Sequence, residues 1–305
     1  MTDAAALYRQ ELIEAGLLIP TGVDGLYGRS AVFESVVEGL ERSISRMAAP
    51  DGAELMRFPP MMSRKDFLAS GYLKGFPHLF GSVHCFCGNE ADHRQLLEYA
   101  GEGKDFSDLL EPSGVVLTPA ACYPVYPVVS RRGTLPPGGR LIDVSAYCFR
   151  HEPSLDPCRM QLFRMRENIR VGSADEVLDF REKWLQRGLK WVERLALPAV
   201  SDLANDPFFG RGGKLMAAGQ RDQQLKFELL VPVTSTEKPT ACLSFNYHMT
   251  HFAEIWPIHQ ADGELAHTGC VGFGLERLTL ALLRHHGLDP TTWPQTVRGE
   301  LWPDK

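Results

Sequence analysis

The sequence has no excess of basic residues. Lysine and arginine total 32 against 38 aspartates and glutamates, which gives a formal net charge of -6 at pH 7. A protein that holds nucleic acid through its general electrostatic field carries a basic face or a basic block, and no such block is visible in this chain. The acidic balance argues against nucleic acid as a partner and leaves a protein partner open.

Long apolar runs are also missing. No run approaches the roughly 20 residues that a membrane-spanning helix needs, and residues 1–4 lack the basic start of a secretory signal. The seven cysteines are odd in number and scattered, which disfavours the disulfide framework of a secreted protein. These absences predict a chain without a membrane span, located in the reducing cytoplasm.

Linkers and internal repeats are absent as well. The 305 residues, 44% of them hydrophobic, suffice for one large domain or two small ones. We expect a single domain over 1–305 with a helical N-terminal part over about 1–50.

Hydrophobic periodicity predicts the elements of this domain. Helices are predicted over 4–18, 30–47 and 173–195, and Ser173 and Glu176 form a capping box at the start of the last one. Strands are predicted over 55–62, 115–117, 141–150, 161–171, 227–233 and 240–247. Strands this numerous with long intervening segments favour an α+β fold, with an antiparallel sheet flanked by helices.

Two arginines stand in separate motifs. A predicted strand ends at Arg150, Glu152 follows it, and residues 159–167 lead into the next predicted strand, so the motif predicts strand, loop and strand. Arg277 follows Gly272 and Gly274, a stretch that predicts a glycine turn opening an apolar helix. The guanidinium group of an arginine in each place can form bidentate hydrogen bonds with phosphate oxygens. Taken singly, Arg150 and Glu152 also fit a cross-strand ion pair, and Arg277 fits a charge at a helix end.

Together these motifs resemble motifs 2 and 3 of the class II aminoacyl-tRNA synthetases. The resemblance implies that Arg150 holds the α-phosphate of ATP, with its Mg²⁺, and that Arg277 holds the γ-phosphate. It implies further ATP contacts at Glu152, Arg159 and Met160. In that family motif 1 is a helix followed by a strand that builds the dimer interface. Residues 30–60 have this layout, and a homodimer is therefore expected.

The strand over 240–247 lines the ATP and amino-acid pockets in the same family. The resemblance implies ATP contacts from four consecutive residues and amino-acid contacts from two that share a face; the first group is Ala241, Cys242, Leu243 and Ser244, and the second is Ser244 and Asn246. Ordinary alternation in a core strand is the other interpretation of Ser244 and Asn246. Many class II enzymes stack an aromatic residue on adenine just after motif 2, where this chain has Asn168. Phe163 is one candidate for this stacking contact instead.

Cys122, Glu167 and Cys270 form a second constellation. They are far apart in sequence, so their spacing alone carries no metal signal and they equally fit two buried thiols and an unrelated glutamate. They resemble the catalytic core of archaeal-type seryl-tRNA synthetase, where zinc held by Cys, Glu and Cys receives the α-amino group of the substrate. The resemblance therefore implies Zn²⁺ at these three residues and makes Glu167 an amino-acid contact.

The other histidines and cysteines singled out in the sequence give no clear indication of a metal site or a catalytic role. His84, Cys85 and Cys87 lack a second pair at metal-binding spacing, so an alternating strand is favoured. The three histidines of the segment after residue 247 are expected to be pocket-wall or surface residues without a special role; they are His248, His251 and His259.

The combination resembles the amino acid:[carrier protein] ligases over roughly residues 30–290. These are homologues of the archaeal-type seryl synthetase core without a tRNA-binding domain. The resemblance implies that a small amino acid, glycine in preference to alanine, is activated with ATP and passed to the phosphopantetheine thiol of an acyl-carrier protein. A seryl-like tRNA synthetase and a non-catalytic paralogue acting as a regulatory subunit are the competing functions. The lack of a basic stripe disfavours the first, and the retention of both arginines and all three presumed ligands disfavours the second.

Overall fold

The computed structural model describes residues 4–206, 209, 214, 218–220 and 223–303. Its strands are β1 Leu18–Pro20, β2 Tyr27–Arg29, β3 Glu54–Arg57, β4 Met61–Ser63, β5 Ser82–Phe86, β6 Leu110–Leu117, β7 Arg140–Phe149, β8 Leu162–Gly172, β9 Val200–Leu203, β10 Lys226–Val231, β11 Thr240–Met249 and β12 His267–Gly274. Its α-helices are α1 Ala4–Glu14, α2 Ala31–Ala48, α3 Arg64–Ala69, α4 Tyr72–Gly75, α5 Glu90–Gly101, α6 Val125–Arg131, α7 Ala174–Arg194, α8 His251–Ile255, α9 Leu275–His286 and α10 Gln295–Leu301. Short 3-10 helices cover Ala49–Asp51, Pro77–Leu79, Ser107–Leu109 and Pro290–Thr292.

A seven-stranded sheet in the order β3-β7-β8-β12-β11-β10-β9 organises the chain. Every neighbouring pair is antiparallel except β3 and β7, which run parallel. The predicted α+β fold is confirmed, with β3 as the exception to an antiparallel sheet. The long connection between β3 and β7 allows the parallel pairing, which a tight hairpin would not.

Helices cover the two faces of this sheet. On one face the main core includes apolar side chains of α2, α7, α9 and α10 together with Leu243, Phe245 and Phe273 from the strands. On the other face side chains of α6 and α8 pack over Ile142 and Ile169. Alternate residues of each strand supply the two faces, because successive side chains in a strand point to opposite sides.

The helix predictions are confirmed for α2 and α7 and partly wrong for α1. In α7, Ser173 Oγ accepts a hydrogen bond from Glu176 N at 3.3 Å, and Ser173 N donates to Glu176 Oε2 at 2.9 Å. The first helix ends at Glu14 rather than 18, because the left-handed Gly16 (φ 67°) turns the chain into β1. The N-terminal part therefore holds the hairpin β1–β2 between its helices.

The predicted strand over 55–62 is two strands in different sheets. β3 joins the seven-stranded sheet, and β4 joins a three-stranded sheet ordered β4-β6-β5. Pro59 and Pro60 separate them, because proline cannot donate a ladder hydrogen bond. The other predicted strands are present with shifted ends, and the alternating strand favoured around His84 and Cys85 is β5.

The predicted glycine turn before Arg277 is wrong. Gly272 lies within β12, and α9 begins at Leu275 directly after the strand. A Cβ at Gly272 would lie 3.1 Å from Ser244 Oγ. Glycine at this position therefore serves the close approach of neighbouring side chains rather than a turn.

Among the residues that the structure describes, no helix combines the length and apolar character that crossing a membrane requires.

Candidate active site

The candidate site lies on the sheet face that α6 and α8 cover. Gly272 of β12 pairs with Glu167 of β8 on one side and with Ser244 of β11 on the other, and Cys270 pairs with Asn246. Residues directly opposite in antiparallel strands present their side chains to the same face. The register therefore brings residues of both predicted motifs onto one surface with residues of β11, the strand that lies between the two motifs in the sequence.

Cys122 completes a cluster with Glu167 and Cys270. It lies between β6 and α6, and its backbone N–H donates to Glu167 Oε1 at 3.1 Å. The two sulfur atoms and a carboxylate oxygen lie within 4.8 Å of one another, and all three residues are buried. We call them the Cys–Glu–Cys cluster. The structure thus brings together the three residues that the resemblance implied as ligands.

The Cys–Glu–Cys cluster is electrostatically unfavourable when fully ionised. The hydrogen bond with Cys270 and burial hold the pKa of Cys122 well above its usual value. Burial raises the pKa of Glu167, and the pKa of Cys270 is raised although its hydrogen bond with Cys122 opposes the rise. A divalent cation would displace the protons and supply the missing positive charge.

The donor set of the cluster fits zinc. Thiolates favour Zn²⁺ over the oxygen-seeking Mg²⁺ and Ca²⁺. Three protein ligands also leave a fourth position for water or substrate, as in zinc sites that act on a bound molecule.

Arg150 follows the last residue of β7 and is partly buried. Its Nε donates to Pro119 O at 3.3 Å, and its guanidinium carbon lies 5.5 Å from the centroid of the Phe163 ring. It forms no ion pair with a carboxylate of the described residues. The cross-strand pair with Glu152 is therefore not formed, and its charge remains available to an anion.

Arg277 lies in the first turn of α9, also partly buried. Its Nε donates to Cys158 O and its Nη1 to Ala241 O, both at 3.0 Å. Burial lowers the pKa of Arg277, and the nearby Arg150 charge also lowers it. Neutral carbonyl acceptors orient this cation without neutralising it, and no carboxylate of the described segments pairs with it.

The loop between β7 and β8 carries the other predicted ATP contacts. Arg159 Nη1 donates to Glu152 Oε1 at 3.1 Å, and both side chains reach solvent. Met160 is buried in the main core. Glu152 and Arg159 therefore lie together at the surface of the loop, and contact of all three with ATP stays a prediction.

The predicted residues of β11 divide between the two faces of the sheet. The side chains of Cys242 and Leu243 are buried in the main core. Ser244 and Asn246 share the other face, where Asn246 Nδ2 donates to Ser244 Oγ at 3.2 Å and to Cys270 Sγ at 3.3 Å. Asn246 thus contacts the Cys–Glu–Cys cluster directly, whereas its predicted contact with an amino acid is a proposal.

Phe163 and Asn168 lie on opposite faces of β8. The Phe163 ring contacts Arg150, whereas the buried Asn168 is paired in register with Asp143 of β7. Successive side chains alternate in a strand, so the side chain of Asn168 points away from the face that carries Glu167. Phe163, and not Asn168, lies beside Arg150, and its stacking on adenine stays a prediction.

Glu276 is a site residue without a role in the sequence interpretation. It is 2% exposed. It accepts hydrogen bonds from Arg164 N at 2.6 Å and Arg164 Nε at 2.8 Å, and it pairs with Arg29 at 3.3 Å. Arg164 also donates to both oxygens of Glu34 in α2. Glu276 therefore fixes α9, and Arg277 with it, to the strand and helix of the other two motifs.

His248, which was expected at the pocket wall or surface without a special role, lies against the Cys–Glu–Cys cluster. Its Nε2 is 3.8 Å from Cys270 Sγ. Loss of hydration lowers its pKa to about 3, so the ring is neutral at neutral pH. The alternation of Ser244, Asn246 and His248 along β11 was the signal available in the sequence.

Comparison with known proteins identifies the family. No protein-family model matches the chain. It is 50% identical over 280 residues to amino acid–[acyl-carrier-protein] ligase 1 of Bradyrhizobium diazoefficiens, a match that covers 92% of this chain and 86% of the relative. Ligase 2 of the same organism is also 50% identical over 280 residues, covering 92% and 84%. The chain belongs to the amino acid–[acyl-carrier-protein] ligase family.

This member of the ligase family also resembles seryl-tRNA synthetases. It is 26% identical over 261 residues to the type-2 serine–tRNA ligase of Methanococcus aeolicus and spans 49% of that protein's length. Its fold matches the M. kandleri seryl-tRNA synthetase solved with A. aeolicus tRNASec, with a TM-score of 0.80 at 21% identity, covering 96% of this chain and 60% of that one. The match confirms the class II synthetase-like fold of the ligase-family chain.

Proposed function

We propose that this ligase-family chain activates a small amino acid with ATP and transfers it to the phosphopantetheine thiol of an acyl-carrier protein. The observation that carries the proposal is the pair Arg150 and Arg277, two partly buried cations without carboxylate partners among the described residues. Besides burial, the charge of Arg150 acts on the pKa values of both Arg277 and Glu167, so the pair lies near the Cys–Glu–Cys cluster. Anionic phosphates supply the charge that these cations lack.

In the first step the amino-acid carboxylate attacks the α-phosphorus of ATP, and pyrophosphate leaves. Arg150 would hold the α-phosphate and neutralise the charge that develops on it, and Arg277 would hold the γ-phosphate. Such transfers depend on positioning and on fixed charges that need no rearrangement. The carbonyls of Cys158 and Ala241 already orient Arg277, and Mg²⁺ is expected to accompany the ATP phosphates.

The Cys–Glu–Cys cluster would hold Zn²⁺ through Cys122, Glu167 and Cys270. When bound, the ion supplies a Lewis-acid position for the α-amino group of the amino acid. Glu167 is held in place by the backbone N–H of Cys122, and Ser244 and Asn246 would line the space beside the bound amino acid.

In the second step the carrier thiol attacks the acyl carbon of the aminoacyl-adenylate. The thioester C–S bond forms, the C–O bond to phosphate breaks, and AMP leaves, while the thiol proton passes to solvent or to the departing phosphate. We propose a carrier protein rather than tRNA as acceptor because the net charge of -6 offers no general attraction for nucleic acid. The seven cysteines are free thiols, which fits a reducing compartment such as the cytoplasm.

Pocket size would select the amino acid. All amino acids have an α-amino group, so a contact with this group does not discriminate among them. The side chain must therefore be selected sterically. A single methyl group is worth about 1–3 kcal/mol. We propose glycine as the preferred substrate, with measurable activity on alanine.

ATP–pyrophosphate exchange with each common amino acid tests the activation step. Exchange should be fastest with glycine, slower with alanine and negligible with large side chains. Exchange with none of the amino acids would contradict the activation step, and exchange with serine alone would favour a seryl-like enzyme.

Elemental analysis tests the metal site. One zinc per subunit is expected, and Cys270→Ser should lose it, whereas Cys85→Ser should keep it because Cys85 is exposed. Metal-free wild-type protein, or unchanged zinc in Cys270→Ser, would contradict the zinc site.

A further inference from the structure

A bulge in β11 lies at His248, beside the Cys–Glu–Cys cluster. Tyr247 pairs with Gly269, but Met249 pairs with Thr268, so the register shifts and His248 is the additional residue. Met249 has a φ of 53°, a conformation that a side chain other than glycine rarely adopts. Bulges of this kind re-aim a side chain, and backbone strain at such a point is typical of functional sites.

Both nitrogens of the His248 ring have partners. Nε2 lies 3.8 Å from Cys270 Sγ, within range of a hydrogen bond to sulfur. Nδ1 lies 3.1 Å from Thr268 Oγ1 and 3.4 Å from the hydroxyl of Tyr126. Phe252 packs edge-on against the ring, with 5.0 Å between the two ring centroids. The imidazole is therefore held from three sides with one N–H position facing sulfur.

The partners determine which nitrogen carries the proton. A metal-bound thiolate can only accept a hydrogen bond, so the contact with Cys270 Sγ requires hydrogen on Nε2. Nδ1 must then accept, and the hydroxyl of the buried Thr268 is a donor within reach. The second hydroxyl, from Tyr126, can donate to the same nitrogen.

We propose that His248 is a positioning residue of the metal centre, donating Nε2–H to the Cys270 thiolate while Thr268 fixes its tautomer. The inference rests on the zinc site of the proposed function. Asn246 Nδ2 donates to the same sulfur at 3.3 Å, so two N–H groups orient the Cys270 thiolate. Such outer partners orient a ligand and change metal affinity by about 10–100-fold.

Zinc affinity of the whole protein, measured by competition with a chromophoric chelator, tests the proposal. His248→Leu removes the donor and should weaken zinc binding by about 10–100-fold. His248→Gln keeps an N–H near the position of Nε2 and should recover most of the affinity. The matched control is His251→Leu, at an exposed histidine of α8, which should bind zinc as the wild type does.

Cobalt(II) substitution gives a second readout. Loss of the hydrogen bond should move the thiolate-to-cobalt charge-transfer band of His248→Leu to longer wavelength, because the thiolate then holds its electrons less tightly. His248→Gln should show the wild-type band. A residue that only filled space would leave the band unchanged and would not distinguish glutamine from leucine.

The outcomes separate this proposal from the zinc site itself. Wild-type protein without stoichiometric zinc overturns the zinc site and the role of His248 together. Wild-type protein that loses zinc through Cys270→Ser, combined with unchanged affinity and band position in His248→Leu, overturns the role of His248 alone. If His248→Leu does not fold, Thr268→Val decides in its place: weaker zinc binding supports the proposal, and unchanged binding overturns it.

Discussion

Arg150 and Arg277 are oriented by backbone carbonyls rather than by carboxylates. A carboxylate partner would compete with phosphate for the same guanidinium group. A backbone carbonyl orients the guanidinium group and leaves its positive charge uncompensated. These two arginines could be singled out from the sequence because each stands in a recognisable motif, and their phosphate contacts stay predictions. The contact of His248 with Cys270 was not predictable, because alternation along β11 indicates only the face of the strand and not which side chain of another strand lies within reach.

Removal of either arginine should depress adenylate formation without unfolding the protein. Arg150→Ala and Arg277→Ala should each slow ATP–pyrophosphate exchange by roughly two to three decades, equivalent to about 2–4 kcal/mol of lost transition-state stabilisation. Arg131→Ala is the matched control, because Arg131 is an exposed arginine at the end of α6. Wild-type exchange rates in either variant would remove that arginine from its proposed role.

The elements of the three motifs are linked through α9. Glu276 at its start receives Arg164 from β8 and Arg29 from β2, and Arg164 also reaches α2. Helices α2 and α7 and strands β7, β8, β10 and β11 were predictable from periodicity and from the capping box of α7, whereas β12 was mistaken for a turn. The split of 55–62 into two strands was not predictable, because it depends on which sheet each half joins, and periodicity does not determine that choice.

Glu276→Gln should destabilise the fold. The substitution removes a buried negative charge from two arginines, and breaking a buried ion pair of this kind costs about 3–5 kcal/mol. Urea unfolding should report the loss as a lower transition midpoint. Glu38→Gln is the matched control, because the ion pair of Glu38 with Arg42 is exposed and should contribute about 0.3–0.5 kcal/mol. Equal midpoints for the two variants would contradict the linking role of Glu276.

At the scale of the whole molecule, the outer edge of the seven-stranded sheet indicates how two copies would meet. β3 ends the sheet, and Leu55 on this strand is 63% exposed. An open edge with an exposed apolar residue is suited to pairing with another chain. The class II fold was predictable from the motifs, whereas the parallel pairing of β3 depends on the path of the long segment between β3 and β7.

Light scattering should therefore give twice the chain mass of 34.0 kDa at micromolar protein. A two-fold interface brings the same patch of both subunits together, so Leu55→Asp should introduce two facing charges and shift the mass toward the monomer. Val200→Asp is the control, at an exposed residue on β9, the opposite edge strand. A wild-type monomer, or dissociation of the control but not of Leu55→Asp, would contradict a dimer through β3.

Transfer of radiolabelled glycine distinguishes an acyl-carrier-protein ligase from a tRNA synthetase. The protein is incubated with ATP, labelled glycine and, in parallel reactions, holo acyl-carrier protein, apo acyl-carrier protein and total tRNA. Label should appear on the holo carrier, remain absent from the apo form and be released by hydroxylamine, as expected for a thioester on the phosphopantetheine thiol. Efficient labelling of tRNA with none on the holo carrier would contradict transfer to a carrier thiol and identify the chain as a tRNA synthetase.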